Sequence, residues 1–119
     1  MVTEFETFRV KVGKEERAKE WMRTITERKA DCIATLSREK MALETIFMTE
    51  KDGRLFLSWF SIQGANHEEV DTSDHEIDKI HCQFWDECID TSFKLDVFEH
   101  VVTFSPENVT NSLEEASNA

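Results

Sequence analysis

Met41-Ala-Leu-Glu-Thr-Ile-Phe-Met-Thr49, Lys51-Asp-Gly53 and Arg54-Leu-Phe-Leu-Ser-Trp-Phe-Ser-Ile62 are the segments whose reading decides the fold. Two runs of aliphatic and aromatic residues flank an Asp-Gly pair, which tolerates the positive φ angles of a tight hairpin turn. The spacing predicts two antiparallel strands over 41–49 and 54–62. Side chains alternate across a strand. Leu55, Leu57 and Trp59 therefore share one face, and Phe56, Phe60 and Ile62 the other. In the first strand, Leu43 and Phe47 oppose Ala42, Ile46 and Met48. Both faces are apolar, which a sheet open to water on one side does not need.

Upstream of the hairpin, residues 4–12 alternate late in the run, with Phe8, Val10 and Val12 on one face, and Gly13 ends this strand. From Lys14 to Arg38 the spacing predicts one long helix. Its buried stripe is Ala18, Trp21, Met22, Ile25, Cys32, Ile33 and Leu36. The Arg28-Lys29 pair interrupts that stripe, with a snorkelling Lys29 as the simplest account. Downstream, Ser73-Asp-His-Glu-Ile-Asp-Lys-Ile-His-Cys-Gln-Phe-Trp-Asp-Glu-Cys88 reads as an amphipathic helix. Ser73 and Glu76 form a capping box at its start. Residues 97–104 (Val-Phe-Glu-His-Val-Val-Thr-Phe) read as a fourth strand stopped by Pro106. Residues 106–119 read as a polar, disordered tail.

The order β-α-β-β-α-β over residues 1–105 predicts a single α+β domain, a ferredoxin-like sandwich. Its four-stranded antiparallel sheet would carry two helices on one face. The apolar free face then needs a cover, and a second copy of the same sheet supplies one. The expectation is a homodimer, a dimeric α+β barrel.

The chain has 119 residues and a formal net charge of −11, with 25 acidic against 14 basic side chains. That balance disfavours nucleic acid and anionic membrane surfaces as partners. No apolar run is long enough for a membrane span. The first residues show no secretory signal. The three cysteines, Cys32, Cys82 and Cys88, have no framework spacing. A cytoplasmic protein with free thiols is expected.

His81 is the leading candidate for a site residue. It sits within the apolar stripe of Ile77, Ile80, Phe84, Trp85 and Cys88, with Asp74 and Asp78 on or beside that face. It reads either as a general base oriented by Asp78 or as a hydrogen-bonded core histidine. His75 and His81 point to different sides, so this helix does not assemble a metal site by itself, and neither metal nor cofactor is expected. On the strands, Arg9, Glu44, Glu99 and His100 occupy positions that a buried sheet fills with apolar residues. An ion pair of Glu44 with Arg9 is one account, and a pocket is the other. Glu44, Trp59, Trp85 and His100 are the candidate ligand-binding residues, because aromatic walls suit planar apolar ligands.

Arg9-Val-Lys-Val-Gly-Lys14, Ala34-Thr-Leu-Ser-Arg-Glu-Lys-Met41, Trp59-Phe-Ser-Ile-Gln-Gly64 and the 73–88 helix resemble a family of small bacterial proteins that form a domain of unknown function, over roughly residues 5 to 105. The architecture is similar to the dimeric α+β-barrel superfamily, which includes antibiotic-biosynthesis-type and haem-degrading monooxygenases. The resemblance implies the fold and dimerisation only; no monooxygenase or haem-ligand motif is matched. Three functional readings remain open. One is a protein that binds a small organic molecule between the 73–88 helix and the sheet. Another is a cofactor-independent oxygenase or isomerase with His81 as base. The last is a purely structural or interaction module.

Overall fold

The hairpin forms as the Asp-Gly spacing predicts. In the computed structural model, which describes residues 1–64, 75–94 and 96–118, β2 (Met41–Lys51) pairs antiparallel with β3 (Arg54–Gln63). Asp52 and Gly53 turn the chain with φ of 53° and 73°, the two positive angles that match strand twist. β1 (Val2–Arg9) pairs antiparallel with the other side of β3, so the strand order is β1-β3-β2. Four helices complete the described residues: α1 (Glu15–Glu27), α2 (Lys29–Leu36), α3 (Glu76–Cys88) and α4 (Glu107–Asn118). The protein is α+β with a three-stranded antiparallel sheet.

Register sets the two faces. Phe8 lies opposite Leu57, Ile46 opposite Trp59, and Met48 opposite Leu57. These residues therefore share the face on which α1 and α3 build the core with Val10, Ala18, Trp21, Leu55, Leu57, Phe84, Cys88 and Ile89. Trp21 and Leu57 are wholly excluded from water, and each buried side chain of this size contributes about 2 kcal/mol of transfer free energy. Arg17 ties α1 to α3, with Nε donating to Glu87 at 2.8 Å and the guanidinium lying 4.3 Å from the centre of the Phe84 ring. The other face carries Phe5, Phe56, Phe60, Thr45 and Phe47.

Four expectations are corrected. The helix expected over 14–38 is two helices. Arg28 leaves helical geometry, with φ −100° and ψ 34°, while its N–H still reaches the Thr24 carbonyl. Its guanidinium turns to Asp31 at 2.9 Å and Glu76 at 3.4 Å. The interruption of the apolar stripe is thus a break in the backbone rather than a snorkelling side chain. The strand expected over 4–12 ends at Arg9, beyond which Val10 makes an isolated bridge to Ile89.

Residues 97–104 form no strand and make no backbone hydrogen bond among the described residues. The cause lies at Asp90. Its N–H donates to the Arg9 carbonyl, its carboxylate takes the Arg9 guanidinium at 2.9 and 3.1 Å, and it accepts two bonds from Ser92. That turn lifts the chain off the edge of β1 and across the sheet, where Phe93 meets Phe56 and Phe98 meets Phe5. The tail expected to be disordered is α4, which packs against β2 and β3. Val109 and Thr110 donate to the Pro106 carbonyl, and Thr110, Leu113 and Ser117 form its less exposed stripe. Ser73 and Asp74, read as a cap and a flanking acid, lie outside the described residues; the N-cap position of α3 is His75.

Candidate functional site

The break at Arg28 turns α2 away from the line of α1. Between α1, α2, α3 and the sheet lies a cleft of about 910 Å³, within the range that holds an organic ligand. α1 supplies Met22 and Ile25, α2 supplies Cys32 and Leu36, the loop after it supplies Glu39, and α3 supplies Asp78, His81 and Trp85. The sheet supplies Phe8, Glu44, Ile46, Trp59 and Ser61. Phe8 and Trp85 meet edge to face at 4.5 Å, and Trp59 and Trp85 lie 5.6 Å apart. Such pairs hold an aromatic wall rigid.

The cleft is acidic. Among the described residues, five carboxylates, Glu4, Glu6, Glu39, Glu44 and Asp78, line it against the ammonium of Lys29. Asp78 is 5% exposed, and its Oδ2 receives no hydrogen bond among the described residues. A buried carboxylate oxygen left in that state is costly. Glu39 is also buried, and its carboxyl is raised to about 7, first by loss of hydration and then by Asp78 and Glu44; Arg38 and a hydrogen bond from Thr35 oppose the shift. Water still reaches Glu44 from the cleft, yet the protein around it removes enough hydration to raise its pKa. The indole N–H of Trp59, donating to Glu44 at 3.0 Å, opposes that rise. The Cys32 thiol is held above its usual range by burial and by the neighbouring carboxylates, so it is no activated nucleophile.

His81 lies at the inner wall. Trp21 Nε1 donates to its Nδ1 at 3.2 Å. An indole can only donate, so Nδ1 is the acceptor and the neutral ring carries its proton on Nε2. Burial lowers the His81 pKa, and Asp78 opposes that shift. The ring is therefore neutral at physiological pH, its tautomer set by Trp21.

Residues 1–111 match the model of DUF6176, a family of unknown function. The chain belongs to DUF6176. Neither curated proteins nor solved structures give a match. The matched span covers the residues that line the cleft, the segment after Asp90 and the start of α4.

Of the residues singled out in the sequence, the fold brings Asp78, His81, Glu44, Trp59 and Trp85 to this cleft. It keeps His100 elsewhere, exposed and bonded to Thr103 Oγ1 at 2.8 Å. Arg9 and Glu44 do not pair: Arg9 joins Asp90 on the opposite face, and Glu44 takes Trp59. Among the described residues no group of three or more His, Cys, Asp or Glu side chains is placed to hold a metal ion, and no helix is long and apolar enough to cross a membrane. Sequence reasoning missed Glu39 and the role of Trp21. Glu39 sits in a polar run, Ser37-Arg-Glu-Lys40, with no periodicity to mark it.

Proposed function

We propose that this protein binds a small organic cation, an amine or amidine carried on a planar apolar body, in the cleft between α3 and the sheet. The unpartnered Oδ2 of buried Asp78 beside Glu39 and Glu44 carries this reading. A cationic donor would satisfy Asp78 and relieve the mutual repulsion of the three carboxylates. Trp59 and Trp85 would flank the apolar body, with cation–π attraction adding to the contact. Cys32, Cys82 and Cys88 form no disulfide, which suits a reducing, cytoplasmic setting.

Tryptamine and benzamidine, titrated against indole-3-acetate and benzoate in a calorimeter, test it. The amines should bind and the acids should not. Affinity for benzamidine should rise as pH increases from 6 to 8, because Glu39 ionises around 7. Asp78→Asn should weaken binding at least tenfold, about 1.4 kcal/mol, with the circular dichroism spectrum unchanged. Equal binding of acids and amines would sink the proposal.

The catalytic alternative, a cofactor-independent oxygenase or isomerase, asks His81 to accept a proton. Its Nδ1 lone pair already takes the Trp21 N–H, so a base at that nitrogen would first have to break this bond. The binding reading needs no such step.

A further inference from the structure

We propose that residues 97–104 form a strand only on a second copy of this chain, adding to the open edge of its β2, so that two copies exchange arms. The arm is Val-Phe-Glu-His-Val-Val-Thr-Phe, five apolar residues in eight and rich in β-branched and aromatic types. Val97 is 96% exposed, Val101 86% and Phe104 90%. None of the eight residues makes a backbone hydrogen bond among the described residues. A strand-forming segment with unpaired backbone and exposed valine and phenylalanine lacks its partner. Phe98, itself 51% exposed, makes an edge-to-face contact 4.9 Å from Phe5 at the root of the arm. The radius of gyration, 15.1 Å, exceeds the value of about 13.5 Å for a compact domain of this length.

The complement lies in the same chain. β2 is bonded to β3 on one side only. Along it Leu43, Phe47 and Met48 are 37%, 58% and 49% exposed. α4 packs against β2 and β3, with the Ser117 carbonyl close against Gly64, just past the end of β3. An arm without a sheet and an edge without a strand, in one chain, close into a two-fold dimer in which each copy gives and receives once. Each arm would extend the partner's sheet beside Ile46 and Met48, which line the cleft.

The full chain, examined by native mass spectrometry and light scattering at micromolar concentration, should give the mass of two chains. Val101→Glu combined with Phe104→Glu should give one chain that still unfolds cooperatively, since both positions are exposed in the single copy. A wild-type mass of one chain overturns the proposal. So does a double variant that remains dimeric with the same dissociation constant. Should the acidic pair fail to fold, Val101→Ala with Phe104→Ala should raise the dissociation constant at least tenfold, and an unchanged constant likewise overturns it.

Discussion

Glu39 shows how one residue ties the cleft's chemistry to stability. Its carboxyl is raised from 4.5 to about 7. Between those values the folded chain holds a proton that the unfolded chain has released, so stability falls as pH rises through this window. Glu39→Gln removes the titration. The variant should match the parent near pH 5 and exceed it at pH 8 by about 1 kcal/mol, a value already reduced for solvent screening. Urea unfolding at both pH values checks this; a variant less stable at pH 8 would mean that the ionised carboxylate has a partner. His81 acts in the opposite sense. Its lowered pKa makes stability fall as pH drops below 6.5. Its donor, Trp21, is a core residue, so truncating Trp21 would confound packing with tautomer control.

At the scale of elements, the backbone breaks where the side chains offer alternatives. Arg28 leaves the helix because Asp31 and Glu76 both receive its guanidinium, and the new direction of α2 opens the cleft. Asp90 does the same after α3, where Arg9 and Ser92 hold a turn instead of a continuing strand. α4 depends on a close approach: a Cβ added at Gly64 would collide with the Ser117 carbonyl oxygen. Gly64→Ala should therefore loosen α4 and leave the central hairpin intact. Hydrogen exchange would show protection lost over 107–118 and kept over 41–63. Equal loss in both regions would mean that α4 and the hairpin open as one unit.

At the scale of the molecule, charge opposes the association that the exposed arm favours. Each chain carries −11, so two copies repel over distances set by the Debye length, about 30 Å at 0.01 M salt and 3 Å at 1 M. The dimer should tighten as sodium chloride is raised from low to near-molar concentration, read as a falling dissociation constant in sedimentation. Apolar burial is also favoured by that change. An interface held mainly by ion pairs would show the reverse trend.

Much of the sheet was legible because its signals are local. Asp52-Gly53 between two apolar runs specified the hairpin, and period-two alternation sorted Leu55, Leu57 and Trp59 from Phe56 and Phe60 as the register later did. The helical stripe of α3 placed His81 beside the core and Asp78 near it for the same reason: both follow from residues within a turn or two. The sequence by itself therefore determined the hairpin, the faces of its side chains, the aromatic core and the acidic balance, whereas Val12 and Ile33, read as buried, are exposed. Only the tertiary structure decided what depends on distant groups meeting. Glu39 joins Glu44 and Asp78 because loop, strand and helix converge, and Trp21 reaches His81 across two helices. Residues 97–104 have every local property of a strand, yet the Arg9–Asp90 pair steers them off the sheet. Strand propensity states what a segment can become, and a free edge within reach decides whether it does.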